Sequence, residues 1–136
     1  MIFRRLYISR AAYPIGHQSD LDILETAVAN NARHGITGML LRRDRRFVQV
    51  IEGAEATVRP LFENINKDPR HHSVRFIGKW QAETRMFGDW SMAYRSFDRP
   101  LPQFDADKPS ADKDQATALL HGLHKMATSS QGVFAL

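Results

Sequence analysis

Phe47-Val48-Gln49-Val50-Ile51-Glu52-Gly53 decides how this chain is read. Strand alternation puts Phe47, Gln49 and Ile51 on one face and Val48 and Val50 on the other. Gln49 is then a polar amide between two large apolar neighbours on its own face. An amide that leaves water without a partner costs about 1–3 kcal/mol, so something must hydrogen-bond it. Tyr7, in the strand-like run Phe3-Arg4-Arg5-Leu6-Tyr7-Ile8-Ser9, poses the same question. So does the pair Asn30-Asn31, toward the end of an amphipathic helix. Tyrosine, glutamine and asparagine groups converging on an apolar pocket suit a flat, heteroatom-rich ligand better than a catalytic acid or base.

Residues 2–9 read as a strand. Ser19-Asp20-Leu21-Asp22 has the form of a capping box, and Leu21, Leu24 and Val28 follow at helical spacing with Ile23 and Ala27 beside them. Gly35 suits a left-handed helix cap. Ile36 to Leu41 and Phe47 to Glu52 form a hairpin, with Gly38 marking close approach by a backbone or a ligand. A second helix carries Val58, Leu61, Phe62 and Ile65, and Pro60 leaves its first turn undefined. Asp68-Pro69 ends it. Val74 to Trp80 and Trp90 to Phe97 read as the fourth and fifth strands.

The order is strand, helix, strand, strand, helix, strand, strand. That is an α+β, ferredoxin-like βαββαββ plan: a five-stranded mixed sheet with both helices on one face. The opposite face, with Leu6, Ile8, Val48 and Val50, then needs cover. Residues 98–111, rich in proline and aspartate, read as a linker. Residues 112–127 form a short amphipathic helix with Ala116, Leu119, Leu120, Leu123 and Met126, weakened by Gly122. This tail helix, or a second subunit, is the candidate cap. The chain divides into a domain at 1–97 and a linker with C-terminal helix at 98–136.

Composition narrows the chemistry. Apolar residues make up 43% of the 136, enough for one ordinary core. No apolar run is long enough to span a membrane, and the N-terminus lacks the apolar stretch of a secretory signal. With no cysteine, disulfides, thiol catalysis and thiolate metal sites are excluded, which suits a cytoplasmic setting. The net charge of +4 is carried mostly by arginine, including Arg42-Arg43-Asp44-Arg45-Arg46. That cluster is short and has no interleaved aromatics, so it reads as a solvated hairpin tip rather than a nucleic-acid contact. His71-His72 diverge in a strand, and His121 and His124 have no third partner, so no metal site is expected. There is no phosphate loop and no nucleophile elbow.

Parity brings Tyr7, Gln49 and either Trp90 or Met92 beneath the helices, with Tyr94 on the face of Trp90 and Met92. Ile23 and Ile65 then form two apolar walls, with Asn31 at one edge. The slot suits a planar ring, greasy above and below and hydrogen-bonding at its rim.

Five elements carry a family resemblance over roughly residues 2–97. They are Leu6-Tyr7-Ile8-Ser9, Asn31-Ala32-Arg33 with Ile36-Thr37-Gly38, Phe47 to Gly53, Asp68-Pro69-Arg70-His71, and Phe87-Gly88-Asp89-Trp90-Ser91-Met92. In order and spacing the chain resembles the BLUF family, blue-light sensors that use FAD. The resemblance implies a flavin held between the two helices. Tyr7 looks like the tyrosine that passes an electron and a proton toward the excited flavin. Gln49 looks like the glutamine between that tyrosine and the ring, whose amide rotates or tautomerises after light and shifts the absorption to the red. Asn31 resembles the residue bonding the pyrimidine edge, and Ile23 and Ile65 the sandwiching pair. Asn30, Arg33, Asp68, Arg70 and His71 are placed to meet the ribityl and phosphate part. Trp90 and Met92 look like the pair whose alternate burial carries the signal out.

The 39 residues after Phe97 leave no room for a fused cyclase or phosphodiesterase. The resemblance therefore implies a short, stand-alone member that is not itself an enzyme. It would act on a downstream signalling protein and form a homo-oligomer, with neither nucleic acid nor membrane as partner. The competing reading is an acylphosphatase-like hydrolase recruiting Arg10 and Asn31, though Ala11-Ala12-Tyr13-Pro14-Ile15-Gly16 makes a poor anion loop. A ferredoxin-like interaction module is the other alternative. A nucleic-acid binder would need exposed aromatics where parity puts Leu6, Ile8, Val48 and Val50.

Overall fold

The computed structural model describes residues 1–88, 93–96, 113–128 and 134–135. In chain order these form β1 (Ile2–Ala11), α1 (Gln18–His34), β2 (Thr37–Arg43), β3 (Arg46–Gly53), α2 (Glu55–Asn66), β4 (His71–Ala82), β5 (Ala93–Ser96), α3 (Lys113–Thr128) and β6 (Phe134–Ala135). The strands make one sheet in the order β4-β1-β3-β2-β5-β6. The pairs β1–β3, β1–β4 and β2–β3 are antiparallel, whereas β2–β5 is parallel, so the sheet is mixed as expected. The two-residue β6, antiparallel to β5, was not expected. Trp90, Met92 and the linker lie outside the described residues.

Strands β2 and β3 are buried along nearly their whole length because both sheet faces are covered. On one face Phe3, Tyr7, Leu40, Phe47 and Ile51 pack with Leu24 of α1 and Val58 and Phe62 of α2. On the other, Leu6, Ile8, Met39, Leu41, Val48 and Val50 pack with Phe87 and with Leu119, Leu120 and Leu123 of α3. The tail helix thus supplies the cover that the second face demanded.

Local details depart from the sequence reading at three places. The α1 cap is His17, whose Nδ1 accepts from the Ser19 amide at 3.0 Å, in place of the Ser19 capping box. The helix therefore starts two residues earlier, and its buried stripe runs through Leu24 to Asn31 while Leu21 is exposed. Arg42 is not at a solvated tip but fully buried. Its guanidinium pairs with Asp20 at 3.1 Å, donates to the Tyr13 and Asp44 carbonyls, and lies over the Phe47 ring. It anchors the loop before α1 to the β2–β3 hairpin, whose turn Asp44 closes with a φ of 49°.

At the other end of α1, Gly35 adopts the expected left-handed cap, φ 67°, and donates to the Asn31 carbonyl. Gly38 marks a backbone approach rather than a ligand: a Cβ there would sit 2.1 Å from the Val50 carbonyl oxygen. Pro60 falls inside α2, in its second turn, and removes the helical bond to the Ala56 carbonyl.

Candidate cofactor site

Register places the key pair. Tyr7 of β1 lies directly opposite Gln49 of β3, and the phenol donates to Gln49 Oε1. Both side chains are buried on the face beneath α1 and α2, at the floor of a cavity of about 150 Å³. Leu40, Phe47 and Ile51 complete the floor; Ile23 and Ala27 wall it from α1, Leu61 and Ile65 from α2. Asn30 and Asn31 stand at the rim, and Asp68, Arg70 and His71 at the α2 end. The cavity is thus apolar on both walls and carries buried amides at Gln49 and Asn31.

The tyrosine is held neutral. Burial pushes the Tyr7 phenol well above its ordinary value of 10.0, and the negative charge of Asp68 pushes in the same direction. Its ring meets Phe62 edge-on at 5.2 Å and His71 at 6.1 Å, so only the hydroxyl end has a polar outlet. With Oε1 accepting from Tyr7, the Gln49 NH2 group turns away from the phenol. An amide can reverse this polarity because it carries both donors and an acceptor.

The turn Asp68-Pro69-Arg70 is closed by the Asp68 carboxylate. It accepts from the Arg70 backbone amide at 2.9 Å and from the guanidinium at 2.5–3.0 Å. Burial alone would raise the Asp68 carboxyl, but the Arg70 bonds and charge outweigh it and hold it below its ordinary 3.8. The Asp68 hydrogen bond in turn raises Arg70.

His71 lines the cavity but points both ring nitrogens into the protein. Nε2 lies 2.5 Å from the Ile65 carbonyl and Nδ1 2.7 Å from Ser9 Oγ. A carbonyl only accepts, so Nε2 carries a proton, and in the neutral ring Nδ1 accepts from the serine. The histidine ties the end of α2 to β1. Its ring lines the cavity with both nitrogens engaged by the protein itself.

Of the sequence-derived residues, Tyr7, Ile23, Asn30, Asn31, Gln49, Ile65, Asp68, Arg70 and His71 line one cavity. Arg33 does not; it is exposed in the last turn of α1. Thr26 and Asn64 also line the cavity, and the sequence reading did not single them out. Their signal was spacing: each sits three residues from an apolar wall position, Thr26 after Ile23 and Asn64 after Leu61. Arg10 and Asn31 line separate cavities, which removes the geometry an acylphosphatase-like site would need. Among the described residues no cluster of three or more potential metal ligands occurs, and no helix is long and apolar enough to cross a membrane.

A family profile described as "Sensors of blue-light using FAD" matches residues 2–93. The chain belongs to the BLUF family. It is 34% identical over 87 residues to the photoactivated adenylate cyclase subunit beta of Euglena gracilis, covering 63% of this chain and 10% of that protein. It thus spans about a tenth of the length of that relative. Its structure is similar to BlsA in the ground state, with a TM-score of 0.75 and 28% identity over 91% of this chain and 88% of that one. It is also similar to the BLUF protein BlrB in its dark state, with a TM-score of 0.67 and 28% identity over 95% and 86%. The cavity fits the BLUF cofactor on its own chemistry, because a flat ring with apolar faces and polar edges satisfies both the aliphatic walls and the buried amides.

Proposed function

We propose that this chain is a blue-light receptor that binds FAD between α1 and α2 and signals by protein contact, without catalysis of its own. The observation that carries this is the Tyr7–Gln49 hydrogen bond on paired strands, at the floor of a slot walled by Ile23 and Ile65. FAD, when bound, supplies the blue absorption and the oxidising power of its excited state. Asn30 and Asn31 orient the polar edge of the ring, and Ile23 and Ile65 exclude water from its faces. Tyr7 holds a proton on its hydroxyl, and Gln49 receives that hydrogen bond. When the amide reverses, by rotation or tautomerisation, the donor and acceptor directions at the floor of the slot exchange with no net charge entering a dry site.

Residues 1–97 act as the sensor in this reading, and 98–136 as a cap and signalling extension. Trp90 and Met92, at the start of the connection to that extension, relay the change. The recipient is a separate signalling protein in the cytoplasm, reached through an oligomer of this chain. The deciding experiment is the absorption spectrum of the purified protein before and after blue light, for the wild type and Gln49→Leu. The expected result is a flavin spectrum that shifts slightly to the red, recovers in darkness, and does not shift in the variant. A protein that takes up no FAD on reconstitution refutes the reading.

A further inference from the structure

Glu52 lies three residues beyond Gln49 on β3, with the opposite parity, and its side chain is fully buried. Its four neighbours are all donors. Oε1 accepts from Arg4 Nε at 3.0 Å and from the Met86 amide at 2.9 Å. Oε2 accepts from Thr37 Oγ1 at 2.7 Å and from the Phe87 amide at 2.8 Å. A carboxylate offers about four lone-pair sites, so all are used. Arg4 and Thr37 are its cross-strand partners in β1 and β2. The remaining two sites hold successive backbone amides of the segment that follows β4.

The same segment is held by further side-chain bonds, among them one from Arg85 to the Glu52 backbone carbonyl at 3.4 Å. Arg4 Nη2 donates to the Thr84 carbonyl at 3.2 Å, and Arg85 donates to Thr37 Oγ1 at 3.0 Å and to the Gly35 carbonyl at 2.7 Å. Phe87 then turns into the core beneath α3, its ring 6.0 Å from that of His124.

Burying an ion pair is a poor route to stability, because apolar residues of the same volume do as well or better. A carboxylate clasping two consecutive amides gives something an apolar residue cannot, which is a fixed position and direction for the chain. We propose that Glu52 is a positioning residue that couples the strand bearing Gln49 to segment 84–88, and through Phe87 to α3. This rests on the light-sensing reading. A change at Gln49 that shifts β3 reaches the far face of the sheet through this clasp.

The test is amide hydrogen exchange on the full chain loaded with FAD, in darkness and under blue light, for the wild type, Glu52→Gln and Arg85→Ala. Glu52→Gln turns an NH2 group toward neighbours that are all donors; Arg85→Ala loosens the same segment and leaves no buried charge behind, so it keeps the test open if the first variant folds poorly. Expected for Glu52→Gln are FAD binding and a red shift of unchanged size. Its amides at 84–88 should exchange at least about tenfold faster in the dark. The light-minus-dark difference across α3, present in the wild type, should vanish. Arg85→Ala should move exchange in the same direction by less. Unchanged dark protection at 84–88 in both variants, or a light-minus-dark difference on α3 that is absent in the wild type or survives in Glu52→Gln, would overturn the proposal. A wild type with no red shift would refute the light-sensing reading instead, and dark exchange at 84–88 would still score the clasp.

Discussion

The two faces of the sheet bury polar groups in opposite ways. Beneath α1 and α2, Tyr7, Gln49 and Asn31 are grouped around an open slot. Beneath α3, Glu52 is closed on every side by donors from the protein itself. An amide or a phenol can tolerate a change of partner, since each both donates and accepts. A buried carboxylate cannot, since losing a donor strands a charge. The first face is built for hydrogen bonds that change and the second for hydrogen bonds that do not.

The contrast can be broken from either side. The largest effect is expected at Gln49→Leu: complete loss of the light-induced shift with FAD retained, read by absorption. Next, Leu123→Ala on α3 should cost about 2–5 kcal/mol, read by thermal or urea unfolding, and leave the flavin spectrum in place. Removing α3 altogether should cost more, because Leu119, Leu120 and Leu123 belong to the second core and their loss would uncover Leu6, Ile8, Val48 and Val50. Third, Gly38→Ala presses a methyl group onto the Val50 carbonyl and should cost about 1–3 kcal/mol through strand distortion.

Asp68 has a folded value below its ordinary 3.8, so its contribution is present at neutral pH and is lost as pH falls through that value and below. Asp68→Asn should therefore flatten the acid limb of a stability-versus-pH curve and leave the neutral region nearly level. Arg59→Ala removes an exposed i,i+4 pair with Glu55 and should change stability by no more than about 0.5 kcal/mol.

Residue pattern revealed the slot more readily than the clasp. Gln49 is conspicuous because a polar residue interrupts an apolar alternation within one strand, and local periodicity is legible. Leu6, Ile8, Val48 and Val50 likewise announce a second apolar face, which α3 covers. Glu52 carried no such mark, because its donors come from β1, β2 and a segment more than thirty residues away. Arg42 hid for the same reason: its burial depends on Asp20 and the Tyr13 carbonyl, so its own neighbours spelled only a basic turn. The His17 cap was missed because an imidazole performed what a serine or aspartate usually does. In β4, His71, His72 and Ser73 join the strand through an irregular register with β1, with Ser73 at a φ of 55°.

The pairing of Tyr7 with Gln49 also limits how this sequence can vary in length. Strand side chains alternate with a period of two, so slipping β1 by one residue would set Tyr7 on the α3 face and bring a neighbour such as Leu6 or Ile8 toward the slot. A single insertion or deletion within β1 or β3 would remove the colour response outright. The same change beyond Ala82, where no ladder joins the chain to β1, would leave that pairing in place. Tolerance to length change, scored by colour in a library of one-residue insertions, would therefore trace the outline of the photochemical site along the chain.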